Sequence, residues 1–152
     1  AICVETAVRG ARWADGLATI NQDPAHLREM LTRWADAGGA PRRILQVHLS
    51  WAPTQEEALA LAHDQWRSNV LPSPASTDLR VATYDAVTER GVGDEQLREA
   101  VLVSADLGEL TERLHELADL GFDELYLHHV GQEQRPFLEA FGESVLPRLR
   151  SA

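Results

Sequence analysis

Lysine is absent from the 152-residue chain, so all 14 of its basic residues are arginines, set against 24 acidic ones for a formal charge of −10. That balance repels a nucleic-acid backbone or an anionic membrane surface, and no local basic patch offsets it; neither class of partner is expected. Cysteine occurs once, at Cys3, which excludes an internal disulfide and fits a reducing compartment. Its position by a strand end reads as simple packing. No apolar run approaches the roughly 18–20 residues of a membrane span, and the N-terminus shows no signal-peptide pattern, so a soluble, cytoplasmic chain is expected. Repeats, low-complexity tracts, interdomain linkers and hairpin turn signals are missing too. What remains is an ordinary globular composition, 44% hydrophobic and 25% charged, sufficient for one core.

The pattern along the chain alternates strand and helix. Residues 5–14 read as a helix, and Asp15 to Ile20 as a short strand. Asp23-Pro24 then supplies a cap and a first-turn proline for a helix that stops at Gly38-Gly39. In residues 44–51, alternation places Leu45, Val47, Leu49 and Trp51 on one face and Gln46, His48 and Ser50 on the other. Thr54-Gln55-Glu56-Glu57 has capping-box spacing, and Leu59, Ala62, Trp66 and Val70 recur at helical intervals behind it. The Pro- and Ser-rich stretch from Leu71 breaks that helix, and residues 71–100 read as an insertion carrying one or two short helices around Gly91 and Gly93. A brief apolar run follows at Val101-Leu102-Val103. Asp106 then caps a helix with Leu107, Leu110, Leu114 and Leu117 on one face, ended by Gly121. A strand from Glu124 to Val130 and a last helix from about Gln132 to Leu149 complete the chain. Strands separated by helices indicate parallel βαβ units, an α/β class in one domain or part of one. Three convincing strands are too few for a finished sheet, and a helix opens the chain with no strand before it, so upstream strands are expected to be missing.

Four segments in order, "ETAVRGARWADGLATI", "RILQVHLSWAPTQEEALALAHDQWRSNV", "AVLVSADLGELTERLHELADLGFDELYLHHVG" and "QEQRPFLEAFGESVLPRLR", together resemble the C-terminal half of the luciferase-like monooxygenase superfamily, in the branch of coenzyme F420-dependent glucose-6-phosphate dehydrogenase and its flavin-dependent relatives. The resemblance implies that residues 1–152 are the C-terminal half of a single (β/α)8 TIM barrel domain, with residues 15–20, 44–51 and 124–130 as its sixth, seventh and eighth strands and 71–100 as an insertion before the last βα unit. It implies a flavin- or F420-dependent oxidoreductase or monooxygenase, with FMN or coenzyme F420 over the strands' C-terminal ends and hydride transfer with a small organic substrate. The fragment alone would be inactive, and its partner would be the upstream half of the barrel or a second copy of the chain in a dimer. The resemblance also places the cofactor phosphate near Val4 and Thr6, at a helix start that offers free amides, although the family's glycine pair is not there. A sugar-phosphate substrate is disfavoured, because its lysines cannot be supplied and Asn21-Gln22-Asp23 stands where one would fall. Arg98 is an alternative anion contact.

Catalytic groups of such barrels sit at strand C-terminal ends, facing the lumen. On the strand at 44–51 the polar face, Gln46, His48 and Ser50, is therefore the expected cavity wall. On the last strand parity allows only one of His128 and His129 to face inward. The more polar set, Glu124, Tyr126 and His128, is taken as inward, with His129 capping the strand or solvated. No zinc-type ligand spacing links His48, His63 and His128, with His63 beside an exposed Asp64, and no nucleophile elbow surrounds Ser50 or Ser104; no metal and no catalytic triad are expected. The rival to an enzyme is a non-catalytic half-barrel that dimerises or binds flavin without turnover.

Overall fold

A computed structural model describes residues 1–70, 83–84, 87 and 91–150. Most of the expected insertion, 71–90, thus lies outside the described residues. The elements run α1 (Val4–Gly10), β1 (Gly16–Ile20), α2 (Pro24–Asp36), β2 (Arg42–Ser50), α3 (Gln55–Trp66), α4 (Asp94–Ala100), β3 (Leu102–Val103), α5 (Leu107–Ala118), β4 (Glu124–His129), α6 (Gln134–Ser144) and α7 (Leu146–Leu149).

Local chemistry sets the helix ends. Asp23 Oδ1 accepts from the backbone amides of Ala25 and His26 at 2.9 and 3.1 Å, and Pro24, which has no amide to satisfy, starts α2. Asp106 does the same for α5, accepting from Gly108 at 2.7 Å and Glu109 at 3.2 Å. Thr54 Oγ1 caps α3 by accepting from the Glu57 amide at 3.3 Å and donates to Glu57 Oε2 at 2.9 Å, so the carboxylate meets the threonine hydroxyl and not the backbone amide that the expected box would use. Gly38 and Gly121 leave α2 and α5 at φ of 79° and 107°, a left-handed exit that glycine adopts without a Cβ penalty.

The sheet is parallel throughout. β1 pairs with β2 in the register Gly16↔Arg42 to Ile20↔Gln46, and β2 pairs on its other edge with β4, from Ile44↔Glu124 to Leu49↔His129. β3 continues the edge above β1, pairing Leu49↔Leu102 and Ser50↔Val103; the sequence reading saw there only a brief apolar run. Among the described residues, the outer edges of β1 and β4 pair with no strand. Two ion pairs pin the foot of the β2–β4 ladder, Arg42–Glu124 and Arg43–Asp123, at 2.7 and 2.8 Å.

One face of the sheet carries the main core. Leu45, Val47 and Leu49 are fully buried there against Leu27 and Met30 of α2 and Leu114 of α5, as the alternation in the sequence requires. Trp51 lies past the strand end and donates from Nε1 to the Ala105 carbonyl at 3.2 Å. α3 departs from expectation. Its buried residues, Ala58 and Ala62, belong to a second, smaller cluster with Leu97, Val101, Val103 and Val130 at the C-terminal end of the sheet. Small alanines let the helix lie close across the strand ends instead of joining the outer layer. The last helix also differs: it is broken at Val145 ahead of Pro147, whose ring cannot continue an uninterrupted hydrogen-bond ladder.

Candidate functional site

The face opposite the main core carries the polar residues of β2 and β4, and it sorts them by height. At the lower level, Gln46 and Tyr126 are register partners. They line a shallow hollow of about 190 Å³ with Ile2, Ala18, Ile20 and Ile44. Tyr126 is 49% exposed, and its hydroxyl donates to Glu124 Oε2 at 3.1 Å.

One step higher, His48 and His128 are register partners, and their side chains meet: Nδ1 lies 2.9 Å from Nδ1. Two imidazole nitrogens at that distance share one hydrogen, so one ring donates and the other accepts. The Trp66 ring, at the end of α3, covers both, with centroids 4.4 Å from His48 and 5.2 Å from His128. His48 is 6% exposed, while His128 is only partly buried. Burial, and then the neighbouring His128, push the His48 imidazole down to about 4, because a charged ring there would lose water and gain no counter-charge. His48 is therefore neutral at ordinary pH.

Asn21, in the turn after β1, holds this arrangement. Its Oδ1 accepts from the His48 backbone amide at 2.9 Å, and its Nδ2 donates to the Ala100 carbonyl at 3.2 Å. One 8%-exposed amide thus ties β1, β2 and the end of α4 together. In the sequence alone, Asn21 stands only where a lysine would fall and Trp66 only on a helix face. An asparagine directly after a strand whose neighbour carries an inward histidine was the available signal; nothing in the periodicity of α3 marked Trp66.

Other expected site residues are placed differently. Ser50 is fully buried and donates to the Ala58 carbonyl at 2.7 Å, so its hydroxyl seats α3 on the strand end and faces no cavity. Val4 points into the main core, leaving only its backbone to meet a ligand, whereas Thr6 is exposed with Oγ1 3.0 Å from Cys3 Sγ. That contact with Thr6 holds the Cys3 thiol below its ordinary value. His129 is neither a cap nor solvated, as the sequence reading had it: it is 4% exposed and stacked on Phe137 at 4.6 Å. Its Nδ1 is buried without a partner, and burial lowers its basicity. Parity sends it to the helix side, where an aromatic neighbour takes up the ring.

A hollow of about 660 Å³ opens beside Asn21-Gln22-Asp23 between α2, α4 and α5. Arg28, Arg98 and Arg113 line it, but Asp23, Glu99 and Glu116 line it too, so it carries no net positive charge to concentrate an anion. Arg98 spends one donor on the Val103 carbonyl at 3.2 Å, and Arg113 pairs with Glu116 at 2.7 Å. Among the described residues, no group of three His, Cys, Asp or Glu side chains could hold a metal, and no helix is long and apolar enough to cross a membrane.

Comparison with known proteins places these features in context. The family model described as luciferase-like monooxygenase matches residues 2–124. The F420-dependent glucose-6-phosphate dehydrogenase of Microbacterium testaceum is 29% identical over 91% of this chain and 44% of its own length. The protein of the same name from Segniliparus rotundus is 31% identical over 76% of the chain and 34% of its own. The chain thus spans less than half the length of these curated relatives. Among solved structures, an F420-dependent secondary alcohol dehydrogenase in complex with an F420-acetone adduct superposes with a TM-score of 0.77 at 17% identity, covering 99% of this chain and 47% of that one. The coenzyme F420-dependent tetrahydromethanopterin reductase of Methanopyrus kandleri gives 0.69 at 13%, covering 97% and 49%. At these identities the likeness is one of fold.

Proposed function

Because the chain belongs to the luciferase-like monooxygenase family, we propose that it forms the C-terminal half of a (β/α)8 barrel oxidoreductase, β1, β2 and β4 being the sixth to eighth strands and residues 71–100 an insertion before the last βα unit. Three parallel strands side by side, β1 and β4 flanking β2, with outer edges that pair with no strand among the described residues, support the half-barrel reading. The full enzyme would transfer a hydride between a small organic substrate and coenzyme F420 or FMN; the F420-dependent relatives favour the former. The observation that carries the proposal is the paired His48 and His128 under Trp66, at the C-terminal ends of β2 and β4 on the face away from the main core. Active sites of this architecture are built at that end of the strands.

The residues fit the ring of such a cofactor better than its phosphate. Trp66 and the partly buried His128 offer aromatic surface and a hydrogen-bonding edge, with the buried His48 behind them and Gln46 and Tyr126 below. Toward a phosphate the chain offers Thr6 and the backbone at Val4, at the start of a short helix. When bound, the cofactor would supply the hydride chemistry; this chain's residues would orient the partners, exclude water under Trp66 and manage protons. The partners would be a small-molecule substrate and the upstream half of the barrel, or a second copy of the chain, which would cover the open edges.

The test is the visible absorbance of the native gene product after gentle purification, followed by separate titration with F420 and FMN. Saturable binding of one of them is expected. Binding of neither removes the oxidoreductase reading, and a tight dimer lacking cofactor would favour a non-catalytic module.

A further inference from the structure

We propose that the hollow between α2, α4 and α5 is a second binding site, shaped for a small zwitterion: a dipeptide-sized molecule with an ammonium at one end, a carboxylate at the other and an apolar body between them. The inference goes beyond the oxidoreductase reading and does not depend on it.

The arrangement of charge carries it. Each of the three walls contributes one arginine and one carboxylate: Asp23 and Arg28 at the start of α2, Arg98 and Glu99 at the end of α4, Arg113 and Glu116 on α5. The two on α5 satisfy each other at 2.7 Å. The other four do not. Among the described residues no ion pair joins Arg28 or Arg98 to Asp23 or Glu99, although opposite charges around one hollow gain by closing on each other. Arg98 gives one donor to the Val103 carbonyl, and Asp23 gives Oδ1 to the first amides of α2. That leaves the remaining N–H groups of Arg98, the second oxygen of Asp23, the Arg28 guanidinium and the Glu99 carboxylate to meet a ligand.

This balance decides the ligand class. A simple anion drawn to Arg28 and Arg98 meets Asp23 and Glu99 at the same rim, and a simple cation meets the reverse, so each gains one attraction and suffers one repulsion. A zwitterion turns both into pairings, its carboxylate accepting from the guanidinium forks and its ammonium donating to the carboxylates. All four charged side chains are exposed, and an exposed pair by itself contributes little. The floor supplies the rest: Leu102, Leu117 and Leu120 are buried or partly so and line the hollow with Pro24, a surface on which the ligand's apolar body loses its contact with water. The volume, about 660 Å³, lies within the ~300–1,000 Å³ of small-molecule pockets. Asn21, which holds the His48 amide, lines the hollow too, whereas neither ring of the histidine pair does.

The test is a titration of the 152-residue chain with L-leucyl-L-leucine, followed by nitrogen-15 NMR of the Leu117 and Leu120 amides and the arginine side chains. Its N-acetyl form, which lacks the ammonium, and its C-terminal amide, which lacks the carboxylate, are titrated alongside. Saturable binding of the free dipeptide is expected, at least about tenfold tighter than that of either analogue, the factor that one charge-assisted hydrogen bond supplies. Arg28→Gln and Glu99→Gln alter exposed side chains that pair with nothing else among the described residues, so the fold should stand while each weakens the free dipeptide by a similar factor. Asp23→Asn, which keeps the helix cap, should act in the same direction, and Arg135→Gln, on α6 away from the hollow, should change nothing. No saturable shift, equal binding of the three molecules, or an affinity indifferent to Arg28→Gln and Glu99→Gln in folded variants would overturn the proposal. Failure to bind F420 or FMN would remove the oxidoreductase reading and leave this outcome untouched.

Discussion

Replacing Asn21 by alanine tests the connection between the strand ends and the histidine pair. The side chain is 8% exposed and makes two hydrogen bonds, accepting from the His48 amide and donating to the Ala100 carbonyl. Alanine removes both and leaves a buried strand N–H with no acceptor. An ordinary hydrogen bond contributes about 1 kcal/mol net, but a stranded buried donor costs about 1–3 kcal/mol. The Ala100 carbonyl, at a helix end nearer solvent, costs less. The expected loss is therefore about 2–4 kcal/mol, a large part of the ~5–15 kcal/mol that holds a typical domain folded. In urea, with a slope of about 1–3 kcal/mol per molar, the unfolding midpoint should fall by roughly 1–2 M with the slope unchanged. Asn21→Asp refines the test. Its carboxylate can still accept from His48, but it sets a second oxygen against the Ala100 carbonyl, so it should recover only part of the loss. A loss below about 0.5 kcal/mol for the alanine variant, the range of an ordinary surface change, would refute the claim that this amide bridges the three elements.

Three further outcomes follow from the packing. His48 titrates near 4 in the folded chain, against 6.5 ordinarily, so between those values the unfolded state binds more protons. Stability is thus full above pH ~6.5 and falls as the pH drops towards 4, by at most about 3 kcal/mol; His129, lowered by burial, adds in the same direction. Denaturant melts of wild type and His48→Leu at stepped pH check this, and parallel curves would refute it. Gly39→Ala should cost about 2–4 kcal/mol and disturb tryptophan fluorescence, because a Cβ there would meet the Trp34 ring at 2.2 Å. Gly38→Ala, with open space but a φ of +79°, should cost only about 1–2 kcal/mol and leave the fluorescence unchanged; equal effects would refute the distinction. Leu114→Ala, in the fully buried centre of α5, should cost about 2–5 kcal/mol by thermal melting.

Much of the fold was legible because its causes are local. Alternation along 44–51 identified the buried face of β2, Asp23-Pro24 and Asp106 announced the starts of α2 and α5, and Gly38 and Gly121 marked their ends; each is a matter of period or of one residue's backbone chemistry. Parity allowed only one of His128 and His129 to share a face with His48, and the more polar set of β4 pointed to His128, which does meet it. Proline 147 could have warned that the last helix would break, yet its cost depends on where the helix starts, which the sequence leaves loose by a turn. β3 was read as an apolar run because two residues show no period, and pairing with β2 alone makes them a strand.

What needed the third dimension were the relations between elements. Amphipathic spacing told that α3 buries a face, but not which side of the sheet receives it; that followed from Ala58 and Ala62 fitting over the strand ends and from Ser50 bonding to the helix backbone. His129 was left a cap or a solvated residue until Phe137, eight positions on, stacked on it. The meeting of His48 with His128, eighty residues apart, follows from strand register, which depends on every pairing in the ladder at once. Sequence by itself determined the residue types, the strand faces and the helix caps, since these depend on neighbours along the chain. Tertiary structure alone decided which polar groups share a hydrogen and which are sealed from water, because those energies arise only when distant segments are brought within a few ångströms.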